Sequence, residues 1–276
     1  MPYLSLTTWS LHRHLGPLHW TRWDAVSRTH TVEIQQQPET VPLLDLPGIL
    51  AEKGFSAVEL CHFNLPETSA EYLGKLRQAI QAAGIRLYTL LLDYGDIASP
   101  DPARRTADIA FMKQWIDYAA AAGAERIRII AGDSDPSDQA GFDRAAAALH
   151  ELIDYASPRG VRVVTENFHS LTSTADNCVA LLDNCGDHLG FTSDFGNFKG
   201  ADKYESLIRT VPRSESIHAK AMTDAEGMPD GTEFVRCLEI VKDAGYEGPI
   251  TLVYDGPGDM WEGIQRVRAL AAPYLT

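Results

Sequence analysis

The chain has 276 residues and a formal net charge of -14, from 38 acidic side chains against 24 Lys and Arg. That excess repels phosphate backbones, and with no Lys/Arg stripe to offset it nucleic acid is a poor partner. No run of about 18 apolar residues, no charged leader before an apolar stretch and no lipidation motif is found, so no membrane association is expected and a cytoplasmic protein is.

Length alone would admit two domains, but α/β barrels of this size use one. The four cysteines (Cys61, Cys178, Cys185, Cys237) form no CxxC pair and sit in strand or helix patterns, which predicts reduced core thiols.

Tyr3 to Thr7 reads as a first strand. Ser10 to Thr40 then carries Trp20, Trp23 and four histidines (His12, His14, His19, His30) with no steady period, so a long loop is expected there, serving as a lid, a binding element or a surface insertion. From Leu43 the pattern is regular. Asp45 is the candidate N-cap of a short helix with Pro47 in its first turn, ended by Gly54, and Ser56 to Cys61 reads as a strand. Thr68 and Glu71 form a capping box before a helix with Leu73, Leu76 and Ile80 on one face, ended by Gly84. Strand Ile85 to Leu92, a helical stripe through Ile109, Met112 and Ile116, strand Arg126 to Ala131, and a stripe through Phe142, Ala145, Leu149 and Leu152 follow.

Val161 to Thr165 is nearly all β-branched and stops at Glu166, Thr174 opens a helix, and Leu189 to Thr192 begins a strand that stops at Asp194. A short helix around Tyr204 to Ile208 precedes strand Ser214 to Ala219. Phe234, Leu238 and Val241 line a helix, Ile250 to Tyr254 is the last strand, and Ile264, Val267 and Leu270 mark a closing helix. Strand and helix alternate through eight units, with glycines closing many helices, which predicts a (β/α)8 TIM barrel forming a single domain over residues 1–276.

In such barrels chemistry gathers at the C-terminal strand ends. Those ends present Glu59, His62, Asp93, Arg128, Glu166, Asp194, His218, Lys220 and Asp255. Glu166 and Asp194 end neighbouring strands, and crowded carboxylates require a cation or a shared proton. With His218 they make a donor set for Mn, Mg, Co or Zn. Acidic strand ends also occur as helix caps or salt-bridge partners, and that alternative stays open on pattern alone.

The phrases TENFHSLTSTADN, SDFGNF, SIHAKA and GYEGPITLVYDGPGDMWEG resemble the xylose isomerase-like TIM-barrel family of sugar phosphate isomerases and epimerases, whose members read V-E-N-H-x-x-x-T-S-T, D-x-G-N, H-x-K and I-E-Y-E-G there. The match spans the second half of the chain, with weaker agreement at SAVEL and RIRIIAG. The resemblance implies that Glu166, Asp194 and His218 are metal ligands. It also implies a fourth ligand at the first glutamate of the last phrase, where this chain has Val253. Asp255 lies two residues on, about 6.6 Å further along the strand, and cannot occupy that position.

The function so implied is a divalent-metal-dependent isomerase or epimerase of a sugar, sugar phosphate or cyclitol, working through an enediolate on a small polyhydroxy carbonyl substrate. Glu166 is then ligand and principal base, and Asp255 or Lys220 supplies the second proton transfer. His62, His169, Asn197 and Arg128 are candidate substrate contacts. Each has a structural alternative: a salt bridge for Lys220, a hydrogen-bond partner for the histidines, a turn cap for Asn197. Trp20, Trp23 and Trp261 suit stacking on a sugar ring. Elimination by a lyase or dehydratase is the second enzymatic reading, and a sugar-binding protein that has lost catalysis, argued from Val253, is the third. The oligomeric state stays open, a homo-oligomer included.

Overall fold

Runs of Leu, Ile, Val and Ala that are apolar on both faces favour strands covered on both sides, as in a helix-wrapped parallel sheet. The computed structural model describes residues 1–275. Strand β1 (Tyr3–Thr7) leads into an antiparallel hairpin, β2 (Leu18–Asp24) and β3 (Thr29–Gln35). The repeat then runs α1 (Leu46–Glu52), β4 (Ala57–Cys61), α2 (Ala70–Ala83), β5 (Arg86–Leu91), α3 (Pro102–Ala122), β6 (Arg126–Arg128) and α4 (Gln139–Ala156). It continues through β7 (Arg162–Glu166), α5 (Ala175–Cys185), β8 (Gly190–Asp194), α6 (Lys203–Thr210), β9 (Ser216–Lys220), α7 (Gly231–Asp243), β10 (Pro249–Val253) and α8 (Met260–Ala271). All strands except β2 and β3 form one closed barrel, sealed where β10 pairs in parallel with β1 and Ser5 lies opposite Thr251.

The apolar core lies mainly between barrel and helices, where Leu50, Leu73, Ile116, Leu149, Leu181, Leu207, Leu238 and Ile264 are buried with Leu60, Leu90, Ile127, Phe191, Ile217 and Leu252. Each such side chain contributes roughly 2 kcal/mol by leaving water. The lumen is polar: Ser216 and Thr251 donate to Glu59 at 2.5 and 2.9 Å, all three fully or almost fully buried. The four cysteines are free and buried. Among the described residues no helix is long and apolar enough to cross a membrane.

Several boundaries differ from the sequence expectation for local reasons. The cap of α2 is Ser69, whose Oγ accepts from the Tyr72 N–H at 3.2 Å, rather than Thr68. Asp45 sits in a helical conformation before α1 and makes no side-chain cap bond. Strand β6 stops at Arg128, since the Ile129 N–H gives the last ladder bond, to the Val164 carbonyl, and Ile130 and Ala131, although buried, leave the ladder.

The largest difference is the segment after β1, where a formed hairpin replaces the expected irregular loop. Its strands are mostly polar, with Trp20 and Trp23 three residues apart in β2, and the turn uses Arg28 at φ 54° where a glycine would be the usual marker. Leu18 and Thr21 are buried, whereas β3 is largely exposed. Leu18 packs on Cys61, Phe63 and Leu91, and His30 bonds Asp108 at 2.9 Å, so the hairpin is fastened across the barrel mouth at two places.

Candidate active site

Parallel register brings the chemistry together. β7 ends on Glu166, β8 ends on Asp194, and Asp194 lies opposite His218 of β9. All three side chains are buried, and one potential ligand atom from each lies within 4.8 Å of the others. His218 Nδ1 stands 3.2 Å from Glu166 Oε1 and 3.8 Å from Asp194 Oδ2, while its Nε2 is 2.8 Å from Glu59 Oε2 in the lumen. Asn197 donates through Nδ2 to Glu166 Oε1 at 3.2 Å, and the Gly196 N–H donates to Asp194 Oδ1 at 2.5 Å. Asn167 spans the two strand ends, donating to the Asp194 carbonyl and accepting from its N–H.

Cations flank this centre. The Arg128 guanidinium is 3% exposed and lies 3.2 Å from Glu166 Oε2 and 2.5 Å from Asp93 Oδ1. Lys220 Nζ pairs with Asp255 Oδ2 at 2.7 Å, so Asp255 faces the lysine rather than joining the trio. Burial tends to raise both carboxyls of the centre. For Asp194 it prevails, reinforced by the Glu166 charge. For Glu166 the positive charges of His218 and Arg128 overcome it and hold the group below the usual carboxylate range. Burial pulls the His218 imidazole down, but Glu166 and Glu59 together lift it well above its ordinary value. Burial likewise opposes the charge of Lys220, which the bond to Asp255 restores and exceeds.

The donor set fits a small divalent cation. Two carboxylates and an imidazole are hard to borderline ligands, and Glu166 Oε2 is buried with no hydrogen bond beyond its ion pair with Arg128. Glu59 on the far nitrogen of His218 is the kind of partner that fixes a ligating imidazole. Val253, where a further carboxylate was expected by resemblance, is 5% exposed on the cavity wall and offers no ligand atom.

Above the trio lies a cavity of about 660 Å³, lined by the centre itself, Arg128, His169, Asn197, Lys220, Asp255 and hairpin residues including Trp20 and Trp23. His169, at φ 68°, points its Nδ1 at Asp133 Oδ1 at 2.6 Å. His62 is not on the cavity wall. It is 2% exposed and packed edge-on to Trp115, its Nδ1 accepts from the Asp93 N–H at 3.1 Å, and burial drives its pKa down to about 4. Trp261 is also elsewhere, on α8 under Lys53. Glu59 and Asn167 do bear on the centre though pattern reading gave them no role there. For Glu59 the signal was present, a lone carboxylate inside the otherwise apolar strand AVELC.

A family model for xylose isomerase-like TIM barrels matches residues 48–270. Comparison with curated proteins gives no match. Among solved structures, an L-ribulose 3-epimerase superposes with a TM-score of 0.73 at 17% identity, covering 100% of this chain and 95% of the other. A probable 3-DHS dehydratase, AsbF, from Bacillus anthracis gives 0.68 at 18%, covering 98% and 97%. A xylose isomerase-like TIM barrel protein from Mycobacterium smegmatis, in complex with magnesium, gives 0.68 at 15%, covering 100% and 97%. At such identities the likeness is one of fold.

Proposed function

Since the chain belongs to the xylose isomerase-like TIM barrel family, we propose that it is an isomerase or epimerase that moves a proton between carbons of a small polyhydroxy carbonyl compound. The observation that carries this reading is the convergence of Glu166, Asp194 and His218 on one buried point at the floor of the cavity. A divalent cation held by these three would polarise the carbonyl and hydroxyl oxygens of the substrate and so acidify the C–H between them.

Glu166 is the base. It is ionised at neutral pH, and Asn197 and Arg128 fix its carboxylate while leaving it on the cavity wall. Proton removal generates an enediolate, whose developing negative charge lies within the field of the Lys220 ammonium. Lys220 and Asp255, joined at 2.7 Å, form the second proton-handling group, with the lysine as donor and the aspartate holding it in place. Val253 can neither give nor accept a proton on the face opposite Glu166, so transfer on one face by Glu166, an aldose–ketose isomerisation, is the version these residues favour.

Glu166→Gln keeps the size and the hydrogen bond from Asn197 but removes the base, and turnover should fall at least about a thousandfold with binding retained. Near wild-type turnover in that variant would exclude proton abstraction by Glu166. Elimination is the second enzymatic reading, favoured by the Lys220 ammonium, which can protonate a departing hydroxyl. An unsaturated product rather than an isomer distinguishes it. Purified protein should contain stoichiometric Mn, Mg, Co or Zn. Absence of metal, with no thermal stabilisation on adding any of them, would favour a sugar-binding protein without catalysis.

A further inference from the structure

The cavity is larger than a monosaccharide needs and falls in the range that holds drug-sized ligands, about 300–1,000 Å³. Its two ends differ in chemistry. Around Glu166 the wall is ionic, whereas the outer wall is made by Trp9, Trp20, Trp23 and Phe63. These rings are held rather than loose. Trp20 Nε1 donates to Gln35 Oε1 at 2.9 Å, the Trp20 ring is 4.3 Å from Phe63 and 6.3 Å from Trp9, and Trp23 packs on His30. Phe63 is buried while the three tryptophans remain half-exposed toward the cavity.

The charges of the wall add a second, independent constraint. Each Arg and Lys among the described lining residues already faces a carboxylate. Arg22 pairs with Glu33 at 3.0 Å, Arg104 with Asp108 at 3.5 Å, Arg128 with Asp93 and Glu166, and Lys220 with Asp255. A phosphate or carboxylate on the distal part of a substrate would have to compete with these carboxylates for each cation, and Asp93, Asp133, Glu166, Asp194 and Asp255 on the same wall would repel it. An uncharged ring loses nothing there and gains stacking on indole faces.

We propose that the hairpin tryptophans form a distal subsite for an uncharged second ring attached to the reacting sugar through a hydroxyl other than the anomeric one, so that the substrate is a reducing disaccharide rather than a free or phosphorylated monosaccharide. This rests on the reaction site assigned above. The sugar bearing the carbonyl lies against Glu166, and the second sugar attached to it lies under β2.

The test is calorimetric titration of the full chain with the reducing disaccharides cellobiose, lactose and xylobiose, with the monosaccharides glucose and xylose, and with glucose 6-phosphate. At least one disaccharide should bind at least tenfold tighter than the monosaccharide of its reducing unit, and glucose 6-phosphate should not. Trp20→Ala and Trp23→Ala should each bring that disaccharide toward the affinity of the monosaccharide. Equal affinities throughout, including failure of every pair to bind, or tightest binding of the phosphate, overturns the subsite. The outcome is separable from the reaction, because an active Glu166→Gln enzyme would defeat the base assignment and leave a measured affinity difference standing.

Discussion

Glu59→Ala removes the carboxylate that holds His218 from inside the barrel. Glu59 is fully buried and accepts from His218 Nε2 at 2.8 Å, Ser216 Oγ at 2.5 Å and Thr251 Oγ1 at 2.9 Å. The hydroxyls lie 3.4 Å apart and can partly satisfy each other, so the unrelieved loss is the imidazole N–H. A hydrogen bond to a charged group contributes about 1.5–3 kcal/mol, and the cavity left by the side chain adds about 1–2 kcal/mol, so the variant should be roughly 3–5 kcal/mol less stable. Releasing the ring should also weaken binding of a divalent ion about 10–100-fold. Glu59→Gln separates the effects, since its amide oxygen can accept from His218 and its NH2 can donate to the hydroxyls. It should cost only about 1 kcal/mol. Urea unfolding reads the first quantity and titration of metal-free protein with MnCl2 the second. If Glu59→Ala binds Mn2+ within about twofold of wild type, His218 is not a ligand positioned by Glu59, and the argument for the centre fails.

Val253→Glu should raise Mn2+ affinity at least about tenfold in the same titration, while costing the metal-free protein about 2 kcal/mol or more for burying a new charge. No gain in affinity would mean that the residue 253 position does not face the ion. His62 has a pKa near 4 in the fold against an ordinary 6.5, so the unfolded chain takes up its proton first as pH falls. Stability present above pH 6.5 is therefore lost on going down to pH 4, by roughly 3 kcal/mol, and His62→Gln should flatten that limb in urea unfolding at pH 4.5 and 7.5. An unchanged slope would refute it. Arg128→Met leaves Asp93 and Glu166 without their shared buried cation and should cost about 3–5 kcal/mol, with a stability change under about 1 kcal/mol counting against the pairing.

Much of the barrel was legible because its elements announce themselves locally. Helical stripes such as Leu73, Leu76 and Ile80 and the β-branched run before Glu166 have periods that only one backbone satisfies. The metal-ligand candidates were legible because they lie at or near the C-terminal ends of three adjacent parallel strands, with Asp194 directly opposite His218 and Glu166 two residues lower, opposite Thr192, so position along each strand implied nearness in space. His62 misled for a related reason. It follows β4 as the others follow their strands, but chain direction after a strand end is set by packing, and this ring turned toward Trp115 and away from the mouth. The hairpin was illegible because its tryptophans face Glu33 and His30 across the ladder and Arg22 faces Thr31, a pattern without an apolar face until the barrel beneath is known. Glu59 was visible as a residue but its partners, His218, Ser216 and Thr251, lie more than a hundred and fifty positions away.

The hairpin also divides the molecule's labour along the sequence. Residues 18–35 are contiguous and belong to no βα unit, whereas the acids, the imidazole and the lysine are spread over the second half of the chain. A change of preferred ligand therefore requires rewriting only one short stretch, held to the barrel through Leu18 of one strand and His30 of the other, whose exchange leaves every barrel ladder intact. Grafting that ribbon between related barrels is a route to new selectivity in which the reacting groups never move.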